Sequence, residues 1–459
     1  MTSHLFKLNN SVSKWPFHKV LVANRGEIAV RIIRTCRVLG LATVAVYSET
    51  DAKSLAVQLA DQAVCIGPDN VNASYLNIAA IISAAQLTGA DAIHPGYGFL
   101  SESPEFADAC LENGIKLIGP SGDVMRLLGD KEQARMTVAK AGLPVVKGSS
   151  TTIDNLADAL DQAQEIGYPI MVKASAGGGG KGMRIVNSPK EMAAKFTVAQ
   201  DEAKAAFGSG QMYLEQYLAN PRHIEVQIAA DRYGNAIALG ERDCTIQARH
   251  QKVMEEAPAV VVPARIRDEM LRRSADAVAQ LNYEGVGTIE FLYNHDGSYY
   301  FMEMNTRIQV EHPITEMITN VDLVELQLRL AAGAELEPQL VSTHGFALEC
   351  RINALTPGKI TGLHLPGGQG VRVDTAIYQG YVVPNSYDGM IAKIIVYGDR
   401  RQRVLQQMQA IIDETVITGI QTNLGLLAQI LKEPSFQRLT ATVNWLDELQ
   451  KKSTSRKDK

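Results

Sequence analysis

The stretch "PIMVKASAGGGGKGMRIVNS" (residues 169–188) places four consecutive glycines between two short β-type runs, "PIMVKAS" and "GMRIVNS". The glycines therefore join strand to strand. A phosphate loop of the P-loop type would join strand to helix. Glycine tolerates positive φ and lets backbone N–H groups approach a ligand closely. Lys173 and Lys181 bracket the run with positive charge. Such a loop suits a lid over polyphosphate. A plain mobile hairpin tip is the competing reading, and the glycines alone do not decide between the two.

Upstream, "KVLVANRGEIAVRIIRTCRVLG" (19–40) begins with a β run, turns, and continues as a helix with apolar Ile28, Ile32 and Ile33. "LATVAVYSE", "ADAIHPGYGF" and "IKLIGPS" repeat the strand-then-turn pattern. Strand and helix in alternation predict an N-terminal α/β domain on a parallel sheet. "NRGEIA" is not GxGxxG, so a dinucleotide site has weak support. "GDKEQARMTVAKAGLPVV" (129–146) reads as a helix stopped at Gly142 with proline just beyond. A small lid unit over about 145–215 follows, and from about 216 the alternation is that of antiparallel sheet. The expected divisions are a 1–17 extension, an 18–129 α/β domain, a 130–330 central region, a 331–450 C-terminal domain and a 451–459 tail.

The chain has 459 residues and a net charge of -5, which gives no general attraction to nucleic acid or an anionic membrane. No apolar run approaches the length of a membrane helix. Five cysteines without a CxxC pair read as reduced thiols, and cytoplasmic location is expected.

"GTIEFLYNHDGSYYFMEMN" (287–305) carries the metal chemistry. Asp296-Gly297 predicts a two-residue hairpin turn, which sets Glu290 directly opposite Glu303. Opposed side chains lie roughly 4.5–5.5 Å apart at Cβ, where like charges repel. A hard divalent cation such as magnesium would remove that penalty. If the second strand persists through "EMNTRIQVE", Glu303, Asn305, Arg307, Gln309 and Glu311 share one face. "PRHIEVQIAAD" (221–231) likewise sets His223, Glu225 and Gln227 on one face. "ERDCTIQARHQKV" (241–253) adds His250 and Lys252.

Six longer motifs, "ANRGEIAVRI", "IHPGYGFLSE", "KASAGGGGKGMR", "ERDCTIQARHQK", "EMNTRIQVEHPITEMI" and "ECRINA", give the chain a close resemblance to biotin carboxylase. That family is the ATP-grasp component of biotin-dependent carboxylases, and the resemblance covers about residues 18–450. It implies an ATP-grasp fold with an N-terminal parallel α/β domain, a small lid domain and a C-terminal antiparallel-sheet domain. It further implies ATP contacts at Lys131, Lys173, Gly179, Gly180, Glu215, Gln216, Tyr217, Leu218, His223, His250, Glu290 and Glu303. Glu290, Glu303 and Asn305 match magnesium (or manganese) ligands. Lys252, Arg307, Gln309, Val310 and Arg351 match the bicarbonate and biotin pocket, and Glu311 matches the base that deprotonates bicarbonate. The implied catalytic set is Lys252, Arg307, Glu311 and Arg351.

The implied reaction is ATP-dependent carboxylation of carrier-bound biotin through carboxyphosphate, in acetyl-CoA carboxylase. The implied partners are a biotin carboxyl carrier protein and carboxyltransferase subunits, with a homodimeric enzyme. No Met-Lys-Met type biotin-attachment site is read in the sequence, so a stand-alone subunit is expected. Another ATP-grasp carboxylate–amine ligase and a catalytically silent assembly subunit are the alternatives. Four features depart from the family pattern: Ala176 in the glycine loop, Gln216 at the adenine hinge, Val38 and Gln369 at the dimer contact, and a short "LTPGKI" connection after Ala354.

Overall fold

The computed structural model describes residues 8–9, 15–149, 151–175, 182–337 and 341–457. It has two compact units. The first comprises 1–143, 222–291 and 302–459; the second comprises 144–221 and 292–301.

The first unit opens with β1 (Lys19–Val22), β2 (Ala42–Ser48), β3 (Gln62–Gly67), β4 (Ala92–His94) and β5 (Lys116–Leu117). All are parallel, in the order β3-β2-β1-β4-β5. Alternation explains why both faces are covered. Val20 and Val22 pack on Ile28, Ile32 and Ile33 of helix α1 (Gly26–Val38). Leu21 points the other way, into a second core with Val44, Ile81, Ile93 and Phe106. Gly26, at φ +68°, makes the turn from strand to helix that a side chain would resist. Helix α2 (Lys131–Lys140) is capped by Asp130, whose carboxylate accepts the N–H groups of Glu132 and Gln133 at 3.0 and 2.8 Å. Lys131 is thus the first residue of a capped helix, and Gly142 ends the turn beyond it at φ +93°.

In the second unit, β6 (Ile170–Ala174) pairs antiparallel with β7 (Arg184–Val186) and β8 (Met212–Gln216). Helix α3 (Pro189–Phe207) covers them, burying Met192, Phe196, Ala199 and Ala203 against Val172 and Leu214. The glycine run does join two strands, as its flanks predict. Gly179 and Gly180 themselves lie outside the described residues.

The rest of the first unit is built on an eight-stranded sheet. Its strands are β9 (Arg222–Ala230), β10 (Ala236–Ala248), β11 (Gln251–Ala257), β12 (Gly285–Tyr293), β13 (Tyr299–Asn305), β14 (Phe346–Asn353), β15 (Val371–Thr375) and β16 (Met390–Gly398). The order is β13-β12-β9-β10-β11-β14-β16-β15. Pairing is antiparallel from β9 through β10, β11, β14 and β16 to β15.

Two sequence expectations fail here. The turn is not the two-residue type: Asn294 N–H donates to Ser298 C=O at 2.8 Å, and Gly297 N–H to Asn294 C=O at 3.0 Å. These bonds close a three-residue loop with Gly297 left-handed at φ +87°, the usual solution when a type I turn must join twisted strands. Partners beside the turn therefore sum to 592, so the turn does not set Glu290 opposite Glu303. Asn305 nevertheless bonds Glu290, and Glu303 lies on the same face of the strand as Asn305, so the count set at the turn does not hold along the whole strand. The strand also stops at Asn305. Glu311 is the N-cap of helix α4 (His312–Thr319), and Pro313 fits that helix's first turn, where a missing N–H costs nothing.

Candidate active site

β9 is buried along its entire length. One face carries Ile224, Val226 and Ile228; the other carries His223, Glu225 and Gln227, which must find polar partners or destabilise the sheet. Arg242 on β10 supplies two of them. Its fully buried guanidinium donates to Glu225, to Gln227 Oε1 at 2.7 Å, to Gln309 Oε1 at 2.6 Å, and to the hydroxyls of Thr315 and Thr288 at 2.8 and 3.2 Å. Five partners for five N–H donors leave this cation fully satisfied. It forms a fixed floor under the site. Sequence reading passed over Arg242, although it lies inside the "ERDCTIQARHQK" motif; its partners are contributed by four separate segments.

Lys252 on β11 stands above that floor. Its ammonium reaches Glu225 Oε2 at 2.5 Å, Glu311 Oε1 at 2.6 Å and Glu290 Oε1 at 2.9 Å. Burial opposes its charge, but Glu225, Glu311 and Glu290 overcome that and hold its pKa well above the usual lysine value. Glu311 is the mirror case. Burial would raise its pKa, yet Lys252, Arg351 and Arg242 hold it well below the ordinary carboxylate range. Its second oxygen accepts from Arg351 Nη2 at 3.0 Å. One buried carboxylate is thus held between two cations from neighbouring strands.

Glu290 also receives Asn305 Nδ2 at 2.8 Å and Gln309 Nε2 at 2.7 Å, with His223 Nε2 3.0 Å from its other oxygen. Burial works against its charge, but His223 and Lys252 prevail and lower its pKa. Glu303 shifts the opposite way: burial first, then the charge of Glu290, raises it, and Lys131 and His223 only partly offset this. The two acids therefore do repel, although the turn is not the two-residue type that predicted it. Two carboxylates and the Asn305 amide oxygen are hard donors of the kind magnesium takes. The repulsion on Glu303 is the observation that a cation would relieve, so the residues fit one.

The remaining residues divide by unit. Arg307 bonds Glu102 Oε2 at 2.9 Å and Asn305 Oδ1 at 3.0 Å. The Val310 carbonyl accepts the buried ammonium of Lys393 at 2.7 Å. His250 sits exposed in the β10–β11 turn at φ +64°. In the second unit Lys173 pairs with Glu215 across β6 and β8, and Gln216, Tyr217 and Leu218 follow. The short connection after Ala354 leaves no slack beside Arg351. Asn423 bonds both the Arg351 carbonyl, at 2.9 Å, and the Asn353 N–H, at 2.8 Å, while Leu355 N–H reaches Gln421 C=O at 2.8 Å. No helix among the described residues is long and apolar enough to cross a membrane.

Three family profiles match in succession: the biotin carboxylase N-terminal domain over 16–125, the carbamoyl-phosphate synthase L chain ATP-binding domain over 130–339, and the biotin carboxylase C-terminal domain over 349–448. The biotin carboxylase of Haemophilus influenzae is 51% identical over 439 residues, which cover 94% of this chain and 98% of that protein. The chain belongs to the biotin carboxylase family. The solved biotin carboxylase–β-γ-ATP complex from Campylobacter jejuni has a TM-score of 0.88 at 42% identity, covering 94% of this chain and 99% of that one. The biotin carboxylase domain dimer of Hydrogenobacter thermophilus 2-oxoglutarate carboxylase, solved with MgADP, ADP and bicarbonate, has a TM-score of 0.87 at 43% identity. It covers 95% of this chain and 98% of that one. The ATP-grasp fold is shared with these biotin carboxylases, and their ligands are the ones this donor set fits.

Proposed function

We propose that this enzyme carboxylates biotin on a carrier protein, using ATP and bicarbonate, as the first half-reaction of acetyl-CoA carboxylase. The observation that carries the reading is Glu311 held between Lys252 and Arg351 beside the Glu290–Asn305 cluster.

In this reading Lys252 and Arg307 turn their donors onto bicarbonate. That loosens their hold on the acids around them, and Glu311 gains the basicity to take the bicarbonate proton. The bicarbonate oxygen attacks the γ-phosphorus of ATP, the bond to ADP breaks, and carboxyphosphate forms. Carboxyphosphate then breaks to carbon dioxide and phosphate, the phosphate takes the N1′ proton of biotin, Arg351 stabilises the oxyanion left on the ureido oxygen, and N1′ attacks carbon dioxide to form carboxybiotin. Glu290, Glu303 and Asn305 would hold magnesium, which neutralises phosphate charge when bound. Lys131, His223 and His250 are proposed as nucleotide contacts in the first unit, and Lys173 with Glu215–Leu218 in the second.

A carrier protein, carboxyltransferase subunits and a second copy of the chain are the proposed partners, in the cytoplasm. Val38 is 84% exposed on α1, so a second copy would cover an apolar side chain there. The test is phosphate release from ATP with magnesium, bicarbonate and free biotin, each omitted in turn. Release that needs all four supports the reading; release indifferent to biotin and bicarbonate refutes it.

A further inference from the structure

β11 and β14 place two glutamates directly opposite each other. Glu255 pairs with Glu349 in the antiparallel register, and both side chains are fully buried. One step along, β14 and β16 place two cations opposite each other: Arg351 pairs with Lys393. Like charges directly opposed destabilise a sheet, and here both pairs are dehydrated. The conflict is resolved on the diagonals. Glu255 Oε1 lies 2.6 Å from Arg351 Nε, and Lys393 is the cation acting most strongly on Glu349. Resolution is incomplete, because none of the four carboxylate oxygens accepts an aligned hydrogen bond. Buried polar atoms are nearly always satisfied, and two opposed carboxyls satisfy each other when one proton lies between them.

We propose that Glu255 is a positioning residue for Arg351, and that it shares a single proton with Glu349 across the β11–β14 pairing. The guanidinium is then gripped from two sides, by Glu311 on the substrate face and by Glu255 behind. The proton shared with Glu349 sets how much negative charge Glu255 presents to Arg351. Ionisation of the pair tightens the grip from behind and leaves Glu311 less encumbered. The groups facing the pair are Arg351 and Glu311 in front, Lys252 and Glu225 from β11 and β9, Cys244 from β10, Cys350 on β14 itself, Tyr97 from the N-terminal domain, and Lys393 from β16, whose ammonium also pairs with Glu27 at 2.9 Å. Burial, more than any of these, raises Glu255, to about 7, and Glu349 also lies well above the usual value. The exchange thus falls near neutral pH. The functional half of this proposal rests on the biotin carboxylation reading; the shared proton does not.

Two measurements test it separately. Difference infrared spectroscopy of the unmodified protein should show a protonated-carboxyl band at pH 6 that titrates away near neutrality. Glu255→Gln and Glu349→Gln should each shift the band in frequency and move its titration. Absence of any such band in the unmodified protein overturns the shared proton, whatever the activity. In kinetics, Glu255→Gln should raise KM for free biotin about tenfold while ATP KM stays within twofold. Glu349→Gln removes a neighbouring negative charge, so the inflection in biotin-dependent turnover should move acidic by about one unit or more, the coupling expected of such pairs. An unmoved pH profile in Glu349→Gln, with turnover merely lowered, would mean that both acids are only structural.

Discussion

Replacing Lys252 with methionine removes the one ammonium that three buried carboxylates share. Glu225, Glu290 and Glu311 lie 2.5, 2.9 and 2.6 Å from it. Each keeps another partner: Arg242 for Glu225, the His223 ring for Glu290 and Arg351 for Glu311. The loss is therefore that of one broken buried network, about 3–5 kcal/mol, and not three times that. At roughly 2–4 °C per kcal/mol for domains of 150–250 residues, and less for a longer chain, Tm should fall by about 5–10 °C.

The pH dependence fixes the cause. In the native protein Glu290 and Glu311 are depressed, so their stabilisation is complete above the unfolded carboxylate value of about 4.3 and is lost as pH falls below it. In Lys252→Met burial dominates, the same carboxyls are raised, and stability is regained as falling pH protonates them. The Tm deficit should be largest at pH 8 and narrow toward pH 5. Calorimetry without nucleotide at both values is the assay. A deficit that is constant with pH, or smaller than about 2 °C, would refute the placement of uncompensated charge.

Glu303→Gln removes the acid whose charge burial and Glu290 both oppose, so the metal-free protein should melt no lower, and up to about 1 kcal/mol higher. Its magnesium-dependent turnover should fall strongly, with more metal needed to reach half of the maximum, read by titrating the metal. Glu311→Gln and Arg351→Ala should each lower biotin-dependent turnover at least about 100-fold with ATP KM near wild type, measured by phosphate release. Asp130→Ala should cost about 1 kcal/mol by uncapping α2, and should raise ATP KM because Lys131 is that helix's first residue.

The fold was legible wherever one period governs a segment. Val20 to Val22, Ile28 to Ile33 and the strands flanking the glycine run all behave as their alternation predicts. The site was legible where function needs charged side chains in an otherwise apolar strand, as at His223, Glu225 and Gln227. It was illegible where a single residue reset the count. The extra loop residue beside Gly297 moved the count at the turn by one, yet Glu290 and Glu303 remain within electrostatic reach. Neither leaves a pattern in composition. Arg242, Glu255, Glu349 and Lys393 escaped for another reason: their partners come from strands far along the chain, so nothing beside them in sequence marks the pairing.

The eight-stranded sheet also says something about inheritance. The profiles matching 130–339 and 349–448 meet at a boundary that the sheet does not respect, because Met254 to Ala257 on β11 pair with Ala347 to Cys350 on β14. Lys252 and Arg351 are carried on these two adjoining strands, one upstream of the boundary and one downstream. A gene cut there would produce two polypeptides, each with a strand edge left unpaired, the kind that seeds aggregation. Recombination at that point would part Arg351 from Glu311, the carboxylate it shares with Lys252, so the central and C-terminal segments should travel together through gene fusion and fission as one heritable block.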